Sequence, residues 1–199
     1  KALEGVRGLG LQCLPWTGEL RQWQARVLLL RGLEPEQGWP DVSDAALLDT
    51  LTDWLAPWLD GVTRRAQFDG LDLGSALAAL LPYPLQRRLT DQAPTRLPLP
   101  SGSSAAVDYR AEGGPALAVK FQETAGQTDT PRVAGGRTPL TLHLLSPAGR
   151  PLQITRDLAG FWRAGYPAVR AEMRGRYPRH PWPDDPLNAT PTGKTKKRM

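Results

Sequence analysis

The chain has 199 residues, of which 40% are hydrophobic, and its seven tryptophans make a buried core without disulfide staples plausible. A single cysteine, Cys13, excludes an internal disulfide and suits a reducing, cytoplasmic setting, and no apolar run reaches the length of a transmembrane helix. The net charge of +5 is uneven: residues 1–149 carry 14 lysines and arginines against 16 acidic residues, whereas residues 150–199 carry 11 against 4. A basic end of this kind predicts contact with a polyanion, the alternative being a solubilising tail.

The N-terminal half predicts four amphipathic helices that can bury their apolar faces on one another. In the first two, leucines and tryptophans recur at spacings of three and four residues, and in the third leucines alone form the apolar face. The second has the clearest apolar face and is expected to be a single helix that ends at Pro57 and Gly61. Residues 1–15 are compatible with either a helix or a short strand. The expected first residues or caps of the four helices are, in order, Thr17, Ser43, Asp72 and Pro84.

From Pro94 onward the pattern changes to short strands and turns. Apolar and polar residues alternate along three or four segments, which is typical of half-buried strands. We expect these strands to pair antiparallel and residues 126–136 to form a loop. The predicted strands cover residues 105–109, 117–121, 140–144 and 152–154.

A last helical segment is predicted from about Thr155, with Leu158 and Trp162 on its apolar face. Gly165 is expected to break this helix, and Pro167 to restart it, because proline is tolerated in a first turn.

Together these patterns predict an α+β fold, in which an N-terminal helical bundle precedes a small antiparallel sheet and a C-terminal helix with an extended, proline-rich basic tail. The predicted divisions are a helical subdomain, a small antiparallel β subdomain, the C-terminal helix with its proline, aromatic and arginine residues, and a disordered basic tail. Their bounds are residues 1–93, 94–155, 156–187 and 188–199.

Residues 174–186 form the most unusual stretch, with three arginines, four prolines and the aromatic side chains of Tyr177, His180 and Trp182. Because so many X-Pro steps exclude a helix, the stretch is predicted to be extended. Arginines can bind phosphates and flat rings can stack on unpaired bases. The alternative is structural: Tyr177 and Trp182 fold back and hold the chain end on the core, and the arginines pair with aspartates of the helical half. The candidate nucleic-acid-binding residues are Arg170, Arg174, Arg176, Tyr177, Arg179, His180, Trp182, Lys194, Lys196, Lys197 and Arg198.

The other candidate motifs do not indicate a nucleotide-binding, metal-binding or catalytic site in this chain. Gly193-Lys-Thr195 resembles the end of a phosphate-binding loop but lacks the earlier glycine, since Asn188 stands at that position. Asp184 and Asp185 are adjacent on an extended chain and so point to opposite sides, which favours a turn before Pro186 or ion pairs with nearby arginines over a metal site. His143, His180 and Cys13 are too few and too dispersed to predict a zinc site. We therefore expect no catalytic residue, metal or cofactor here.

Several stretches resemble the C-terminal region of HrpB-type bacterial helicases of the DEAH/RHA class, both in their amino-acid sequence and in their order along the chain. The resemblance rests on Arg174–Pro186, on Ser146–Trp162, on Leu117–Glu123 and on Trp39–Leu48, and it covers nearly the whole chain. It implies a non-catalytic accessory region of a cytoplasmic, ATP-dependent RNA helicase. ATP and magnesium would then bind to the motor domains of the same parent chain, and single-stranded RNA would be the partner. A module that docks the helicase on a ribonucleoprotein is the alternative.

Overall fold

A computed structural model of the chain describes residues 1–61 and 65–195. The chain divides into two compact units, Lys1–Ala93 and Pro94–Met199. The first is built from helices, and the second from a sheet and a long helical run, so the predicted α+β class is confirmed.

Within residues 1–61 and 65–93, the first unit has six α-helices and four short 3-10 turns. All three side-chain caps predicted for it are present, because the Thr17, Ser43 and Asp72 oxygens accept hydrogen bonds from backbone N–H groups three residues on. Residues 1–15, for which the sequence allowed a strand, are mainly helical. The helices are α1 Ala2–Leu9, α2 Gly18–Leu33, α3 Asp44–Asp49, α4 Leu51–Trp54, α5 Leu73–Ala78 and α6 Tyr83–Gln92, and the 3-10 turns are Leu11–Cys13, Pro35–Gln37, Ala56–Trp58 and Arg65–Gly70.

The single helix predicted to follow Ser43 is interrupted at Thr50, so that α3 and α4 are separate helices. The Thr50 hydroxyl donates to the Ala46 carbonyl oxygen at 2.8 Å. Bonding of this kind to a carbonyl four residues earlier bends helices, which accounts for the break.

A partly buried ion pair joins α6 to the end of α2. Glu34 is fully buried, and its carboxylate accepts from the Trp39 indole N–H at 3.0 Å and from the Arg88 guanidinium Nε at 2.7 Å. Burial of a carboxylate is costly without such partners, so the pair is a structural feature of the helical unit.

The second unit contains a five-stranded sheet in the order β1-β2-β3-β6-β7 and a separate two-stranded ribbon, β4-β5. Val107, Leu117, Leu142 and Leu144 are buried along it, as the alternating pattern predicts. The strands are β1 Arg96–Pro98, β2 Ser104–Asp108, β3 Ala116–Lys120, β4 Arg132–Val133, β5 Thr138–Pro139, β6 Thr141–Leu145 and β7 Pro151–Thr155.

The expectation that all strands pair antiparallel is wrong for one pair, because β3 and β6 run parallel, with Leu117 opposite Leu142. Between them the chain passes through a 3-10 turn, Phe121–Thr124, and through the ribbon that occupies part of the predicted loop. Parallel neighbours need a long crossover, and residues 121–140 supply it.

The C-terminal helical run consists of α7 Leu158–Gly160, a π-helical turn Phe161–Gly165 and α8 Tyr166–Arg176. Asp157 caps its start by accepting from the Gly160 N–H at 2.9 Å. The predicted break at Gly165 is absent. Pro167 cannot donate to the carbonyl four residues before it, and the wider π-helical turn that precedes it accommodates the ring without ending the helix.

Candidate nucleic-acid interface

The last turn of α8 carries the arginines that the sequence singled out. Arg174 and Arg176 are exposed there, and Arg179 is exposed just beyond the helix. Among residues 1–61 and 65–195, none of the three guanidinium groups has a hydrogen bond or an ion pair. Basic side chains suit a helix C-terminus, whose carbonyl groups carry partial negative charge. Their charge is therefore available to solvent or to a ligand.

Arg170 has a different environment from these three. Its Nε donates to the Trp182 carbonyl oxygen at 2.9 Å, and its Nη2 lies 2.6 Å from the Asp184 carboxylate. Asp184 is thus an ion-pair partner, which was one alternative for this residue. Arg170 holds the chain that returns across α8, and its charge is partly neutralised.

Trp182 packs against the protein core, which agrees with the structural alternative for this residue. Its ring is 7% exposed and stacks on Phe121 with centroids 5.0 Å apart and planes inclined by 19°. The indole N–H donates to the Tyr177 carbonyl oxygen at 2.8 Å. In this conformation the ring has no open face for a nucleobase.

Trp182 belongs to a group of five buried rings that we call the aromatic cluster: Phe121, Phe161, Trp162, Tyr166 and Trp182. The Tyr166 hydroxyl donates to the Pro183 carbonyl oxygen at 2.6 Å, and burial raises the pKa of this phenol above its ordinary value. The cluster is where the extended proline-rich stretch is fastened.

Tyr177 and His180 are half-buried and meet edge to face, with ring centroids 6.2 Å apart. Burial lowers the pKa of the His180 imidazole below its ordinary value, and the nearby Lys120 charge lowers it further. This histidine therefore favours its neutral form more than a free histidine does.

A polar cavity of about 250 Å³, which we call the arginine pocket, lies between the β6–β7 turn and the end of α8. Arg150, from the turn, lines this cavity together with Arg176 and Tyr177. Arg150 was not among the residues that the sequence singled out, because nothing in a linear sequence shows that this turn packs beside the last turn of α8. The pocket is lined by Ser146, Arg150, Pro151, Leu152, Glu172, Met173, Arg176 and Tyr177.

A second, largely apolar cavity of about 360 Å³ lies where residues 181–195 cross the aromatic cluster. Gln122 lines it, and its side-chain amide has no hydrogen-bond partner in the described part of the chain. Lys194 also lines this cavity and is exposed, away from the arginine pocket. Lys196, Lys197 and Arg198 lie outside the described residues.

The described residues give no geometry for other chemistry. No three His, Cys, Asp or Glu side chains come close enough within residues 1–61 and 65–195 to hold a metal ion. Over the same ranges, every helix is too short or too polar to cross a membrane.

Comparison with known proteins gives consistent results. Residues 54–186 match the HrpB_C family, described as "ATP-dependent helicase C-terminal". The chain is 47% identical over 195 residues to the ATP-dependent RNA helicase HrpB of Escherichia coli K12, covering 98% of this chain and 24% of that protein. The crystal structure titled E. coli DExH-box NTPase HrpB superposes with a TM-score of 0.89 at 45% identity, again over 98% of this chain and 24% of the other.

A second solved structure, titled Escherichia coli DEAH/RHA helicase HrpB, gives a TM-score of 0.75 at 44% identity and covers 90% of this chain and 23% of that one. The chain therefore spans about a quarter of the length of the relatives it matches.

Proposed function

Since the chain belongs to the HrpB C-terminal family of ATP-dependent helicases, we propose that it is a non-catalytic accessory region of such an enzyme. It packs on the motor domains of its parent and adds a cationic surface for single-stranded RNA. ATP and magnesium bind to those motor domains and not to this chain, and the parent works in the cytoplasm.

The observation that carries this proposal is a set of three guanidinium groups that have no partner in the described part of the chain. They belong to Arg174, Arg176 and Arg179, at and just beyond the end of α8. Phosphate contacts dominate the affinity of proteins for nucleic acid, and each releases condensed counterions. Exposed arginines without carboxylate partners bring most of their charge to such a contact. Because Trp182 is buried, binding should depend on charge more than on base identity.

Fluorescence anisotropy of the 199-residue chain with a labelled single-stranded RNA tests this proposal. Replacing Arg174, Arg176 and Arg179 together by alanine should weaken binding and flatten the dependence of log K on log salt, by about 0.7 for each phosphate that the protein no longer neutralises. The matched control replaces the same three residues by lysine, which keeps the charge and should preserve most of the slope. Binding that is absent, or indifferent to salt, would contradict the proposal.

Docking on an acidic partner protein is the alternative, and the apolar cavity beside the proline-rich stretch favours it, because aromatic-lined grooves can hold partner segments. In that case the same alanine variant would keep its RNA affinity and would no longer bind the ribonucleoprotein partner of the helicase.

A further inference from the structure

The arginine pocket is formed by two separate elements that the fold brings together, and neither element alone supplies both arginines. Arg150 comes from the turn between β6 and β7, whereas Arg176 is the last residue of α8. The cavity holds about 250 Å³, which is ample for a phosphate group with its bound water.

The backbone of Arg150 is fixed by its turn. The Ser146 N–H donates to the Arg150 carbonyl oxygen at 2.8 Å, and the Arg150 N–H donates to the Ser146 hydroxyl oxygen at 3.1 Å. Gly149 permits this tight turn because its φ is +81°. The Arg150 side chain is exposed, and it makes no ion pair or hydrogen bond with any other described residue.

Arg176 lines the pocket from the last turn of α8. Met173 is 6% exposed and anchors the last turn, while the Tyr177 N–H donates to the Met173 carbonyl oxygen at 2.9 Å. The Tyr177 carbonyl in turn accepts from the Trp182 indole, so the backbone on both sides of the helix end is fixed. The guanidinium of Arg176, like that of Arg150, has no partner among the residues described.

The charge balance of the pocket favours an anion. Glu172 contributes one negative charge, and the C-terminus of α8 contributes about half of one. The two guanidinium groups exceed this sum, so the pocket keeps a net positive charge. Arginine is also the residue that best matches phosphate, because its planar fork donates two parallel hydrogen bonds.

We propose that the arginine pocket binds a phosphate group of single-stranded RNA between the guanidinium groups of Arg150 and Arg176. The inference deepens the proposed function and rests on it. The phosphate is either an internal phosphodiester or the terminal phosphate of a strand, since both present the same oxygens to the two arginines.

The test uses the 199-residue chain and a labelled single-stranded RNA over a series of salt concentrations. Arg150→Ala should weaken binding roughly tenfold at low salt, which is the effect expected for removing a charge-assisted hydrogen bond, and lower the salt slope by about 0.7. Glu172→Gln should act in the opposite direction and tighten binding about threefold, because it removes a negative charge beside the phosphate. Arg87→Ala is the matched control, since Arg87 is exposed, unpaired in the described chain and located in the helical unit; it should leave affinity and slope unchanged.

Two further RNAs of one sequence, with a 5′-phosphate and with a 5′-hydroxyl, identify the source of the phosphate. A preference for the 5′-phosphate that Arg150→Ala removes assigns the pocket to a strand end, whereas a slope change without such a preference assigns it to an internal phosphodiester. If the wild-type chain binds RNA while Arg150→Ala behaves like Arg87→Ala, the pocket proposal is overturned and the proposed function is not. If the wild-type chain binds no RNA, both fail.

Discussion

Arg170 and Arg174 lie one turn apart on α8 and differ in what their charges can do. The guanidinium of Arg170 is engaged by the Trp182 carbonyl and the Asp184 carboxylate, because the chain turns back beside it. Arg174 is exposed and has no partner among the described residues. Whether an arginine on α8 can bind phosphate therefore depends on the path of residues 177–195, which decides whether its guanidinium group already has a partner.

Trp182→Ala should destabilise the chain by about 3–5 kcal/mol, the usual cost of emptying a buried tryptophan site. The substitution removes the stack on Phe121 and the hydrogen bond to the Tyr177 carbonyl. Urea denaturation followed by circular dichroism measures the change. Tyr83→Ala is the control, because Tyr83 is 69% exposed, and it should change stability by less than about 0.5 kcal/mol.

Trp182→Phe separates packing from base stacking at the same position. A phenyl ring keeps most of the apolar contact with Phe121, so stability should fall less than in Trp182→Ala and the affinity for RNA should stay close to wild type. A variant with normal stability and strongly reduced RNA affinity would show that the indole contacts bases, against the structural alternative.

Proline carbonyls attach the extended stretch to the rest of the second unit, since prolines have no N–H to donate. The Pro183 carbonyl accepts from the Tyr166 hydroxyl at 2.6 Å, and the Pro186 carbonyl accepts from the Gly126 N–H at 2.8 Å. Further on, the Thr192 N–H donates to the Gln122 carbonyl oxygen at 3.2 Å. The docking of this extended stretch on its own unit therefore depends on a few backbone contacts near the aromatic cluster.

Gly126→Ala should loosen this docking, and Gly149→Ala is its matched control. Both glycines have a φ of +81°, so an alanine at either position carries the same backbone strain, about 1 kcal/mol. A Cβ at Gly126 would also lie 3.3 Å from the Leu187 carbonyl oxygen, whereas one at Gly149 would meet nothing within 4 Å. We expect faster proteolytic cleavage after residue 186 in Gly126→Ala alone; equal rates in the two variants would contradict a role for this contact.

Features that depend on neighbouring residues in the chain were predicted from the sequence. Caps such as Thr17 and Asp72 were predicted correctly, because a cap depends on residues within one turn. The parallel pairing of β3 with β6 could not be predicted in this way, since a long crossover decides it and short alternating strands look alike in both orientations. Arg150 was missed for the same reason: its neighbour in the pocket, Arg176, is distant in sequence.

The charge of the protein follows its division into two units. Residues 94–199 hold 16 lysines and arginines against 8 acidic residues, and residues 1–93 hold 9 against 12. The candidate interface and the arginine pocket both lie in the second unit. The acidic helical unit is stabilised by its own buried leucines and by the ion pair between Glu34 and Arg88, which is consistent with a structural role.

Residues 94–199 expressed alone should fold and should bind single-stranded RNA with the salt slope of the whole chain. The reason is that this unit contains its own sheet, the aromatic cluster and every arginine proposed to contact phosphate. Circular dichroism with thermal melting reports folding, and anisotropy over a salt series reports the slope. Residues 1–93 are the control and should bind no RNA at moderate salt, because their net charge is negative. A folded 94–199 fragment with a much flatter slope would show that phosphate contacts come from the helical unit, against the assignment of the interface to the C-terminal one.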